Sequence, residues 1–79
     1  MTPTAIRYYT HNGEEETPYF AICCYTFGTN RVEQWSYVIL DEDKDPMGPE
    51  SERYENGAAC EIDAKAAVGA TEVTEVRFS

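Results

Sequence analysis

The chain has 79 residues, and fifteen Asp and Glu against six Lys and Arg give it a formal net charge of −9. That length allows one small core and one domain, residues 1–79, and a field of that sign argues against direct phosphate binding, since Arg7, Arg31, Lys44, Arg53, Lys65 and Arg77 are few and dispersed. A folded chain with an acidic exterior is expected: acidic disordered chains are poor in aromatic residues, and this one carries six Tyr, three Phe and one Trp.

Ala5 to Thr10 alternates, with Ile6 and Tyr8 on one side and Ala5, Arg7 and Tyr9 on the other, which predicts a first strand. His11-Asn12-Gly13 supplies a turn, and Glu14, Glu15 and Glu16 make the connection strongly charged. Tyr19 to Phe27 is apolar on both sides, Phe20, Ile22 and Cys24 against Tyr19, Ala21, Cys23, Tyr25 and Phe27, so it is predicted to be a central strand. After the Gly28-Thr29-Asn30 turn, Val32 to Leu40 places Trp35, Tyr37 and Ile39 opposite Val38 and Leu40, completing an antiparallel meander.

From Asp41 to Glu55 the composition changes. Seven acids stand against two bases, a net −5 that is more than half of the −9 total, with Pro46, Gly48 and Pro49 interrupting any regular element. A long exposed loop is predicted, of the length that tends to carry function. Extended chain sets residues two apart ~6.6 Å from one another on one side, so Asp41, Asp43 and Asp45, or Glu50 and Glu52, would form rows resembling successive phosphates.

Ala58 to Val68 reads as one helix, with Ala59, Ile62 and Ala66 on a shared face, Glu61 four residues before Lys65, and Gly69 as its stop. A hairpin through Asn56-Gly57, pairing Arg53-Tyr54-Glu55 with Ala58-Ala59-Cys60, is the rival reading. Thr71 to Phe78 is predicted to be a last strand, with continuation of the helix as the alternative. The fold class is therefore α+β: a mostly antiparallel sheet of four strands, five at the outside, with one helix packed on one face. Tyr9, Tyr19, Tyr25 and Tyr37 are candidates for an uncovered aromatic face.

No catalytic, cofactor or metal site is predicted. The cysteines Cys23, Cys24 and Cys60 lie in anionic surroundings that raise a thiol pKa, and His11 is the single histidine, so a thiol–imidazole pair or a zinc site is disfavoured. Asp41, Asp43 and Asp45 imitate the opening of a calcium loop, and Glu52 fits its twelfth position, but Pro46 occupies the sixth, where that loop needs Gly. No apolar run approaches the ~20 residues of a membrane span, and no basic stretch leading into an apolar one opens the sequence, so a soluble, cytoplasmic monomer is expected.

In its size, acidity, aromatic content and lack of a catalytic motif, the chain resembles the small acidic anti-CRISPR proteins of phages and mobile elements, some of which mimic DNA. The resemblance lies in the character of the whole chain and transfers no residue roles. It implies an inhibitor, acting inside a bacterial host cell, that occupies the DNA-binding surface of a CRISPR effector, a type I surveillance complex at the large subunit that reads the protospacer-adjacent motif. On that reading Glu14, Glu15, Glu16, Asp41, Glu42, Asp43, Asp45, Glu50, Glu52 and Glu55 face the lysines and arginines of the partner. Acidic immunity proteins and antitoxins, which neutralise basic nuclease toxins by the same electrostatics, are the alternative.

Overall fold

The computed structural model describes residues 2–11, 18–41, 43–70 and 72–76; the side chains of His11 and Pro18 lie outside that description. Four strands, β1 (Ala5–His11), β2 (Pro18–Phe27), β3 (Val32–Ile39) and β4 (Val73–Val76), form one sheet in the order β3-β2-β1-β4, and a single helix, α1 (Gly57–Val68), is present among these residues. Every pairing is antiparallel, so the α+β architecture predicted from alternation holds. No helix in the described residues is long and apolar enough to cross a membrane.

The register sorts the side chains. Arg7, Ile22 and Tyr37 lie in one cross-strand row, and Tyr9, Phe20 and Ile39 in the next. This helix-side face meets Cys60 and Ala64 of α1, and together Tyr9, Phe20, Ile22, Cys60 and Ala64 form the buried core. Phe20 is fully buried and stacks on Tyr9 with ring centroids 5.0 Å apart. The back face carries Ala21, Cys23, Tyr25 and Ser36, all buried.

Local chemistry sets the helix limits. The Asn56 side-chain oxygen accepts from the Ala58 and Ala59 amides at 2.8 and 3.3 Å, as an N-cap does. At the far end Gly69 adopts φ 70°, its amide donates to the Ala66 carbonyl, and Ala70 donates to Lys65, the paired bonds of a Schellman stop. The hairpin through Asn56-Gly57 does not form, because the Tyr54 backbone pairs with Trp35 instead.

Two expectations are corrected. The helix does not pack through Ala59, Ile62 and Ala66: Ile62 is 64% exposed while Cys60 and Ala64 are fully buried. Alanine on every side gives the helix little apolar contrast, and Gly57, where an added Cβ would come within 3.1 Å of the Trp35 indole, lets its first turn sit close to β3. The uncovered tyrosine face is also absent. Tyr9 and Tyr25 are buried, and Tyr19 and Tyr37 pack against the core. Tyr19 departs from strict alternation because the β1–β2 register shifts between Tyr9 and Thr10, a bulge that leaves one residue outside the ladder. The last strand, predicted over Thr71 to Phe78, forms as Val73–Val76, and Thr71 and residues 77–79 lie outside the described set.

Candidate functional site

The acidic segment is anchored rather than looped out. Along the outer edge of β3 the Met47 amide donates to the Ile39 carbonyl at 2.8 Å, Ser51 to Tyr37 at 2.8 Å and Tyr54 to Trp35 at 2.6 Å, while Trp35 donates back to Tyr54 at 2.8 Å. The Tyr37 amide donates to the Ser51 hydroxyl at 2.8 Å. Alternate residues of β3 are thus satisfied by a segment that is neither helix nor strand, which blunts the edge. The prolines and glycine that stop this stretch from becoming a fifth strand do not stop it from docking.

Asp41, Asp43 and Asp45 are gathered, not aligned. Both the Asp43 and Asp45 amides donate to Asp41 Oδ1 at 2.9 Å, and the Lys44 amide donates to the Asp41 carbonyl with Lys44 at φ 67°. This aspartate-centred turn brings a carboxylate oxygen from each of the three within 4.8 Å of the others, so the extended row expected here is replaced by a compact anionic knot. Glu52 and Glu55 are exposed further along the ridge. Glu14, Glu15, Glu16 and Glu42 lie outside the described residues.

Glu50 has a different role from the other acids. It folds onto the back face, where its carboxylate accepts hydrogen bonds from the Tyr25 hydroxyl at 2.7 Å and from the Ser36 hydroxyl. Arg53 lies 3.9 Å from the same carboxylate and 3.7 Å from the Tyr25 ring centre. Burial pushes the Glu50 carboxyl upward, but the two hydroxyl donors and the Arg53 charge outweigh it and hold the group below its ordinary value of 4.5. Glu50 therefore ties the ridge to the back face through Oε2, while its side chain remains 37% exposed.

The sequence did not reveal a second concave feature, on the helix side. A groove of about 520 Å³ runs between the start of α1 and the β1–β2–β3 face, with Trp35 and Tyr9 as its aromatic residues and Arg7, Glu33 and Glu61 as its charged ones. Burial and then the Glu61 charge push the Tyr9 hydroxyl up to about 12. Cys24 also lines this groove, and its thiol donates to Glu33 at 3.3 Å. All three thiols are pushed upward by burial and nearby carboxylates, Cys60 to about 11, so thiolate is scarce at neutral pH. The spacing Glu33-x-Trp35, two residues on one strand face, is the one sign of the groove that the sequence carries.

No family model matches the chain, and no curated protein and no solved structure shows significant similarity to it.

Proposed function

We propose that the protein is a binding protein without catalytic activity that lays its acidic ridge on the basic, nucleic-acid-binding surface of another protein and so competes with nucleic acid. Following the resemblance in overall character, the partner proposed is a type I CRISPR surveillance complex, and the outcome is blocked target-DNA binding. One observation carries the reading: the most acidic stretch of the chain is tied to the β3 edge by backbone hydrogen bonds. Carboxylates presented on an ordered ridge lose less conformational entropy on binding than carboxylates on a free loop, and complementary charge speeds encounter.

The interface set is Asp43, Asp45, Glu52 and Glu55, all exposed, with Asp41 as the organiser of the turn and Glu14, Glu15, Glu16 and Glu42 as further anions. Glu50 is left out because it is engaged with Tyr25 and Ser36. The test is a titration of the protein into a type I surveillance complex holding labelled target duplex, at low and moderate salt. Duplex release that weakens as salt rises is expected, and the joint reversal Asp43→Lys, Asp45→Lys, Glu52→Lys and Glu55→Lys should abolish it with an unchanged circular dichroism spectrum. Undisturbed duplex binding at every concentration in low salt removes the effector from the reading.

A further inference from the structure

An aromatic ring stands beside a carboxylate both on the back face and on the helix side. On the back face the arrangement is complete, because the Arg53 guanidinium lies 3.7 Å from the Tyr25 ring centre and 3.9 Å from the Glu50 carboxylate. On the helix side Trp35 and Glu33 share one face of β3 and both line the groove, but no arginine completes them. Arg7, across the groove, is directed to Glu75 at 4.0 Å and to the Tyr9 hydroxyl. Glu61 is paired with Lys65 at 3.3 Å. Glu33 accepts the weak thiol donor of Cys24, and among the described residues no salt bridge reaches it.

We propose that the groove receives a single arginine side chain from the basic partner, its guanidinium lying on the Trp35 indole and forking onto the Glu33 carboxylate. Arginine fits where lysine does not: a planar guanidinium both stacks on an aromatic face and bonds a carboxylate through two N–H groups, whereas an ammonium is a compact, strongly hydrated point charge. At about 520 Å³ the groove lies within the range of small-ligand sites and has room for one guanidinium. Its position also fits. The acidic ridge pairs with β3 at Trp35 through Tyr54, so the groove opens where the ridge ends. The ridge then supplies long-range attraction and the groove the desolvated anchor that exposed charges alone do not provide. This inference rests on reading the protein as a ligand of a basic surface.

Trp35 is the chain's one tryptophan, so its emission reports on the groove without a label. The whole protein is titrated with N-acetylarginine amide at fixed ionic strength, and in parallel with N-acetylcitrulline amide, the uncharged isostere. A saturable change in Trp35 emission is expected with the arginine compound, at least ~tenfold weaker with citrulline, and weakened about tenfold in Glu33→Gln, the loss expected for one charge-assisted hydrogen bond. Ala58→Phe, which fills the groove from an exposed position on the first turn of α1, should abolish the response while the helical circular dichroism signal stays. Equal responses to the two compounds, or an arginine response that survives in both variants, overturn the proposal. The two readings fail separately. Arginine binding to the groove without duplex competition keeps the groove and removes the effector, whereas duplex competition without an arginine response removes the groove and keeps the ridge.

Discussion

On one face of β2 the side chains of Phe20 and Ile22 lie under Cys60 and Ala64 of α1, whereas on the other Tyr25 lies under the Glu50 carboxylate and the Arg53 guanidinium. The helix covers by close apolar approach, which its small residues permit. The 46–54 segment covers by backbone bonds to β3 and by one ionic cluster on a tyrosine ring. Apolar contact is indifferent to pH and salt over the ordinary range, while a cluster centred on one carboxylate is sensitive to both. The same difference separates the acids into two groups, since Glu50 is hydrogen-bonded to the back face, whereas Asp43, Asp45, Glu52 and Glu55 are exposed and are the ones proposed to meet a partner.

The largest effect is expected at the helix-side cover. Phe20→Ala removes a fully buried ring stacked on Tyr9 and should cost about 3–5 kcal/mol, a large part of the ~5–15 kcal/mol that keeps a domain folded. Chemical denaturation would measure it, and a loss below about 1 kcal/mol would mean that the helix-side core is not where stability resides. Glu50→Ala comes next, at about 2 kcal/mol, because it leaves the Tyr25 and Ser36 hydroxyls and Arg53 without their shared acceptor. A double-mutant cycle with Tyr25→Phe should show a coupling of about 1 kcal/mol; strict additivity would show that the cluster holds nothing together.

Acidification separates the two covers without mutation. The Glu50 carboxyl is held below its ordinary value of 4.5 in the folded protein, so its stabilisation is in place above that pH and fades as pH falls through the lower folded value. The gap in Tm between wild type and Glu50→Gln should therefore be widest near neutrality and close as pH drops below 4.5. A gap that stays constant over that range would assign the cluster's strength to packing instead of charge.

Much of this fold was legible. Alternation located β1, β2 and β3, apolar character on both sides marked β2 as internal, and Gly69 marked the helix stop. What alternation cannot say is which face the helix takes, or that a Pro- and Gly-interrupted stretch returns to cover the other, so the fates of Tyr9 and Tyr25 were out of reach. Ala59, Ile62 and Ala66 misled because a helix rich in alanine offers nearly the same surface on every side, while Cys60 and Ala64 are the residues it buries. The acidic residues of the candidate site were visible as composition, but their geometry was not: Asp41 folds its neighbours into a turn where extended spacing was assumed. The groove needs β1, β2, β3 and α1 brought together, and beyond the Glu33-x-Trp35 spacing no local pattern encodes that.

The smallest predicted change gives the cleanest comparison of the covers, because each has a cysteine beneath it. Cys60 is fully buried at the helix–sheet contact, and Cys23 is buried on the back face beside the Glu50 and Arg53 charges. Asn56→Ala removes the acceptor of the Ala58 and Ala59 amides and should cost about 1 kcal/mol, roughly a fivefold rise in opening of the helix if the loss is local. Thiol labelling followed by peptide mapping should then show Cys60 reacting about fivefold faster, with Cys23 unchanged. Glu50→Ala should give the reverse, accelerating Cys23 and sparing Cys60. Should both variants accelerate both thiols in the same ratio, the two covers open as one cooperative unit, and the back-face cluster would have to be regarded as an extension of the core rather than a separate clasp.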